Sequence, residues 1–394
     1  MYEEEERLCR QVGNPEGVAK SMSGRVEILK LRGRFDAALE SLQEVETLQR
    51  QFGDIRGLAG TFGSHALILE AKGDLPSALA LLRQGEQIWR DLDEPDGLAR
   101  NLGNQTKLLS AQARHEEAIT LLREVERIFR NIGDKEGLAG CFNSLAMVLQ
   151  AHGDLVAAQQ NYEQAANIYR QLEAPIGLAA TIGNLGCLLR MKGELQRAAA
   201  LFIEQQLICQ RLGDRAGVAR SLGNRALILR TQGRTNEALI LHTQEEDAFR
   251  QLNLPAGLQV CLGNLAAIYL IEGDNDRAMT LFSEQEGICR SLNDPASLAR
   301  CLGNQALVFE RNGEVTRAND LHEQAQRLFE RVGDPLGLSI TMTARAMLMA
   351  QRLRQPKAGL ELATKALELA SGHGLNDAAR RILQVIHVIK QSQQ

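Results

Sequence analysis

Glycine recurs at every fortieth position through most of this chain. Gly17, Gly57, Gly97, Gly137, Gly177, Gly217, Gly257 and Gly337 share one register, and Ser297 is its one departure. A second register is alanine throughout: Ala38, Ala78, Ala118, Ala158, Ala198, Ala238, Ala278, Ala318 and Ala358. Such self-similarity specifies a stack of one supersecondary unit, each copy burying its apolar face against its neighbours. A length of 394 residues would otherwise suggest two or three globular domains. A stack offers a long, shaped surface and no obvious enclosed pocket.

One unit shows how the period is built. Gly213 suits the left-handed position that ends a helix, and the Asp214 carboxylate caps the N–H groups of the next one. Pro15, Pro95, Pro175, Pro255, Pro295 and Pro335 follow the equivalent cap elsewhere, at the first helical position, where the missing N–H costs nothing. Ala219, Leu222, Ala226 and Leu229 then form an apolar stripe at helical spacing. Gly233 ends that helix. Ala238, Leu239, Leu241, Ala248 and Leu252 stripe a second. Each unit therefore reads as an antiparallel helix pair with a short turn.

Nine pairs follow, with first helices starting near residues 15, 55, 95, 135, 175, 215, 255, 295 and 335 and filling residues 14–371. Residues 1–13 match only a second helix: Met1 aligns with Leu201 and Cys9 with Cys209. The chain thus opens in mid-repeat, as a cut through a longer array would. The ninth unit is degenerate, with Leu353 at a glycine position. Beyond it, residues 375–391 carry the apolar stripe of a capping helix.

The segment from Thr181 to Gln205 resembles a tetratricopeptide repeat. With Ala179 as the first position, Gly186 is the small eighth residue, Leu189 the eleventh and Gly193 the fifteenth. Ala198 is then the twentieth and Phe202 the large twenty-fourth. The common repeat has about 34 residues; this longer variant resembles the repeats of Pins-type spindle adaptors, kinesin light chains and bacterial signalling proteins. The aromatic usual at the fourth position is Leu or Ile here, and the proline near the thirty-second is missing. The resemblance implies an all-α solenoid, a right-handed superhelix whose first helices line a concave groove for extended peptides or partner helices.

Gly-Asn in mid-helix is the anomaly in this pattern: Gly103-Asn104, Gly183-Asn184, Gly223-Asn224, Gly263-Asn264 and Gly303-Asn304. Glycine there costs about 1 kcal/mol against alanine, and asparagine some tenths more. Asparagine offers a donor and an acceptor, matching both groups of a peptide bond. A ladder of them would hold an extended backbone, and glycine would let that backbone approach. The resemblance implies the same role, since family groove asparagines hold peptide main chain. A structural role, bonding and packing between repeats, competes with it.

Arg100, Arg220 and Arg300 stand one turn before the asparagine, and Arg190 and Arg230 nearly two turns after it. Flanking a groove, they would favour an acidic peptide; on a solvated helix edge they would do nothing. Glu70 and Glu310 share the Arg190 register, so the surface is not uniformly basic. Glu6, Glu46, Glu86, Glu126, Glu246 and Glu286 recur on the second helices, which suits a solvated or inter-repeat face better than catalysis. His242 and His322 share a register two repeats apart and read as packing residues.

Chemistry beyond recognition finds no support. HExxH, GxxxxGK[ST], GxSxG and dinucleotide-binding glycine patterns are all missing. We therefore expect no enzyme, metal or cofactor. A net charge of −4 and 4% aromatics disfavour nucleic acid, and no apolar run reads as long enough for a bilayer. The acidic start, Glu3 to Glu6, is unlike a secretory signal. Cysteines in stacked registers lie about 8–10 Å apart, too far for disulfides, and fit a reduced, cytoplasmic protein. The expected function is a scaffold binding a protein or peptide partner, with an acidic segment favoured. The mid-repeat start motivates two alternatives: the sensor or autoinhibitory arm of a larger bacterial signalling protein, and a scaffold that self-associates through the N-terminal half-repeat.

Overall fold

Asn14, Asp54, Asp134, Asp214, Asp294 and Asp334 each accept a hydrogen bond from the backbone N–H three residues on, opening a helix. These caps set the frame of the computed structural model, which describes residues 2–391; Met1, aligned above with Leu201, lies outside them. Among the described residues there are twenty helices and no strand.

The first is α1 (Tyr2–Gln11). First helices of the pairs are α2 (Pro15–Leu31), α4 (Ile55–Lys72), α6 (Pro95–Ala111), α8 (Lys135–His152) and α10 (Pro175–Met191). They continue as α12 (Arg215–Thr231), α14 (Pro255–Glu272), α16 (Pro295–Arg311) and α18 (Pro335–Gln351). Their partners are α3 (Phe35–Phe52), α5 (Leu75–Asp91), α7 (His115–Ile132), α9 (Leu155–Gln171) and α11 (Leu195–Leu212). The remaining partners are α13 (Thr235–Gln251), α15 (Asn275–Ser291), α17 (Val315–Val332) and α19 (Pro356–Gly372), and α20 (Asn376–Gln391) ends the series.

The helices fall into two compact units, one up to Leu201 and one from Phe202 onward, with α11 crossing the division. Within the first unit, helices pack on their chain neighbours, and successive first helices touch at α4 with α6 and at α8 with α10. Within the second, α14 touches α16, and α16 touches α18. There α20 closes on α18 and α19, burying Ile382, Ile386 and Ile389 against Ala346, Ala363, Ala366 and Ala370.

The glycine register is a packing device. A Cβ on Gly97 would lie 2.4 Å from the Trp89 ring, on Gly177 2.3 Å from Tyr169, on Gly257 2.5 Å from Phe249 and on Gly337 2.4 Å from Phe329. In each case the last turn of a second helix lays a ring on the first turn of the next helix, and only a residue without a Cβ leaves room. Ser297 is the departure, eight residues after Cys289.

The alanine register is fully buried from Ala38 to Ala318. Ala358 is not: the turn before α19 is one residue longer, Arg354 takes the left-handed conformation (φ 56°), and Gly359 occupies the buried place. A Cβ there would lie 2.7 Å from the Ala346 carbonyl oxygen. Arg354 rather than Leu353 takes the left-handed position after α18, and the longer loop takes up the difference.

One expectation needs correcting. Helix α14 is long and apolar enough by composition to cross a bilayer. Its apolar content is explained by burial: Leu258, Cys261, Leu262 and Leu265 pack with Ala219 and Phe249, and Ala266 and Leu270 with Phe282.

Candidate functional site

The five Gly-Asn asparagines sit in mid-helix on α6, α10, α12, α14 and α16, and all are half-buried. Among the described residues, Asn104, Asn264 and Asn304 make no side-chain hydrogen bond, whereas Asn184 donates to Asn143 on α8 at 3.3 Å. That bond links neighbouring repeats.

Two clefts in the second unit bring the predicted residues together. One, of about 460 Å³, is lined by Arg220, Gly223, Asn224 and Leu227 of α12, Val260 and Asn264 of α14, and Glu245 and Phe249 of α13. The other, of about 420 Å³, is lined by Arg300, Gly303, Asn304 and Leu307 of α16, Ile340 and Ala344 of α18, and His322 and Phe329 of α17. Under an 80-residue shift most of these places are kept, but Glu245, Leu254, Ala256 and Asn264 correspond to Ala325, Asp334, Leu336 and Ala344. A third cleft, in the first unit, holds Asn184 with Tyr162, Cys187, Met147 and Met191.

The arginines divide. Arg100, Arg220 and Arg300 are exposed, and the latter two stand at the cleft mouths. Arg220 lies 3.5 Å from Asp214, and Arg300 donates to the Ser297 hydroxyl at 2.8 Å. Arg190 and Arg230 are half-buried and line none of these three clefts. The Arg190 Nε is buried without a hydrogen-bond partner.

The glycines divide as well. A Cβ on Gly223 would lie 2.2 Å from the Glu245 carboxylate, and one on Gly263 2.6 Å from the Gln285 amide. Gly103 and Gly303 face open space. Packing therefore bears on Gly223 and Gly263 and not on Gly103 and Gly303.

The recurrent glutamates join repeats. Arg250 holds Glu246 on its own helix at 2.7 Å and Glu284 of α15 at 2.6 Å. Arg90 does the same with Glu86 at 2.8 Å and Glu124 of α7 at 2.7 Å.

The two histidines differ. His242 is fully buried, with Nδ1 2.8 Å from Glu245 Oε2. Cys261 joins them, the three donor atoms lying within 4.8 Å of one another. Burial and the Glu245 charge push the Cys261 thiol far up, and it donates to the His242 carbonyl at 3.2 Å. His322 is 2% exposed, and both its ring nitrogens are buried without a partner. Burial, then the Arg345 charge, lowers its pKa to about 4. Sequence reading passed over this contrast, although one comparison within the register shows it: Glu245 has Ala325 as its counterpart.

A tetratricopeptide repeat family model matches residues 57–131, 111–171 and 177–251. The helix pairs of the structure carry the same pattern on both sides of those matches. The chain belongs to the tetratricopeptide repeat family. No curated protein sequence matches it. Among solved structures this tetratricopeptide chain is similar to the apo quorum sensor NprR from Bacillus thuringiensis, at 14% identity and TM-score 0.59, over 86% of this chain and 98% of that one. It is similar to a Rap protein complexed with competence and sporulation factor, at 14% identity and TM-score 0.58, over 95% and 98%. Aspartyl phosphate phosphatase F from Bacillus subtilis aligns at 14% identity and TM-score 0.54, over 95% and 94%. At such identities these likenesses establish a shared helical-repeat fold.

Proposed function

We propose that this tetratricopeptide protein is an interaction scaffold that holds an extended segment of a protein partner along its first helices. Asn104 and Asn184 serve in the first unit, and Asn224, Asn264 and Asn304 in the second. The observation that carries the reading is the state of Asn104, Asn264 and Asn304. Each is half-buried yet, among the described residues, makes no side-chain hydrogen bond. None of these amide atoms is shut off from the surface, so a bound segment can reach them and pair with them. Main chain is the partner with the right donor and acceptor. Arg100, Arg220 and Arg300 flank these positions and favour an acidic segment, because guanidinium pairs with carboxylate in two parallel bonds. Among the structural neighbours, one protein is complexed with competence and sporulation factor and another is a quorum sensor. Both names are consistent with a fold used for recognition.

The test is a pull-down from native lysate with the intact chain and with Asn184, Asn224 and Asn264 together replaced by alanine. Partner recovery should fall at least about tenfold, the loss of one or two hydrogen bonds, with the thermal melt unchanged. Equal recovery by the two proteins, or a variant that unfolds, would assign the asparagines to packing.

A further inference from the structure

The cleft between α16 and α18 has a second copy in the same unit with a side chain already seated in it. Under the 80-residue shift, Arg220 maps to Arg300, Gly223 to Gly303, Asn224 to Asn304, Leu227 to Leu307, Phe249 to Phe329 and Val260 to Ile340. His242 maps to His322. Several places differ, among them Leu254 with Asp334, Asn264 with Ala344, and Glu245, whose counterpart is Ala325. In the first copy the Glu245 carboxylate covers Gly223 and meets the His242 ring at 2.8 Å. In the second copy Gly303 faces open space, and His322 reaches the cleft wall with neither nitrogen partnered.

We propose that the cleft over Gly303 is a specificity pocket for a carboxylate side chain, glutamate or aspartate, of the bound segment, which takes the place that Glu245 fills in the other copy. This deepens the groove reading above and rests on it.

The pocket's chemistry suits that guest. His322 supplies a ring N–H, Asn304 an amide N–H, and Arg300 a guanidinium at the mouth. Asp334 also lines the cleft, but its carboxylate is tied to the Gly337 N–H at 2.9 Å as a helix cap. Arg345, held by Glu323, Asn319 and Gln326, adds positive charge near the ring. Leu307, Phe329, Leu336 and Ile340 form apolar walls for the stem of the guest and its neighbours. His242 has one ring nitrogen partnered, by Glu245, and Nε2 unpartnered, whereas an imidazole with neither nitrogen partnered, as in His322, is the costlier choice for a core position. The same register holds Phe202 and Phe282 in other repeats, so the fold does not require histidine there.

The probes are two fluorescein-labelled peptides, acetyl-Ala-Leu-Glu-Leu-Ala-amide and its glutamine analogue, titrated by anisotropy. The full chain should bind the glutamate peptide about tenfold more tightly, the worth of one charge-assisted hydrogen bond. His322→Phe, a residue the register already accepts, should abolish the preference and keep the weaker binding. Ala325→Glu should abolish the preference and raise Tm, by building in the carboxylate that Glu245 supplies elsewhere. Equal binding of both peptides by the full chain, or a preference that survives in His322→Phe, would overturn the pocket and leave the groove reading standing. Binding of neither peptide at millimolar concentration would overturn both. A lowered Tm in Ala325→Glu would refute the equivalence of the two clefts whatever the peptides do.

Discussion

The Trp89 ring lies flat against the backbone of Gly97, so close that a Cβ on Gly97 would sit 2.4 Å from Cε3. Alanine is the better helix former by about 1 kcal/mol, yet the clash with a large ring in the interface outweighs that gain. We expect Gly97→Ala to destabilise the protein by about 1–3 kcal/mol, the usual range for overpacking, as measured by chemical denaturation. A neutral or stabilising outcome would show that the ring can move aside.

That same relationship explains why so much of the fold was legible in the sequence. The period combines a residue without a Cβ where a side chain arrives from the preceding helix, an alanine at the inter-helix crossing and, in most repeats, an Asp or Asn cap. Three fixed registers therefore announce three contacts. The site was legible only in part. The Gly-Asn ladder marked helices that line clefts, but a register does not say which side chain comes to rest over a glycine. Glu245 over Gly223 and nothing over Gly303 is a difference between two second helices, invisible when first helices are read alone. The slip at Gly359 escaped for a similar reason. Ala358 keeps the spacing in the sequence, while the longer turn around Arg354 moves the buried position by one residue.

The Arg250 guanidinium joins two repeats through Glu246 and Glu284. Both the arginine and Glu284 are well over a third exposed, at 41% and 38% of their side chains, so solvent screens the attraction. Replacing Arg250 by methionine should cost no more than about 1 kcal/mol, and the cost should largely vanish at 1 M salt. A larger, salt-independent loss would assign the arginine a packing role through its aliphatic stem.

His322 makes stability depend on pH. Its folded pKa is about 4, against 6.5 for the free side chain, because burial and the nearby Arg345 oppose the charged ring. Between those values the unfolded chain holds a proton that the folded one lacks. Stability is therefore full above about pH 6.5 and falls as pH drops toward 4. The whole window is worth about 3 kcal/mol at 1.36 kcal/mol per unit. Urea denaturation at pH 7 and pH 4.5 should show the loss in the native protein and a smaller one in His322→Phe. Equal losses in the two would place the acid sensitivity elsewhere.

Gly103 and Gly223 occupy the same register and should respond in opposite ways to alanine. Over Gly223 the Glu245 carboxylate leaves no room, and a Cβ would force it away from His242, stranding two buried polar groups. A loss of about 1–3 kcal/mol follows for Gly223→Ala. Over Gly103 the space is open, so alanine keeps its advantage in helix propensity. Gly103→Ala should stabilise by about 0.5–1 kcal/mol. If the open space beside Asn104 admits a partner's backbone, the stabilised variant should also bind that partner less well. Denaturation curves for both variants, set beside partner recovery for Gly103→Ala, separate the two demands on this register. A Gly103→Ala protein that is more stable and binds as before would show that the glycine there gives the partner no room it needs.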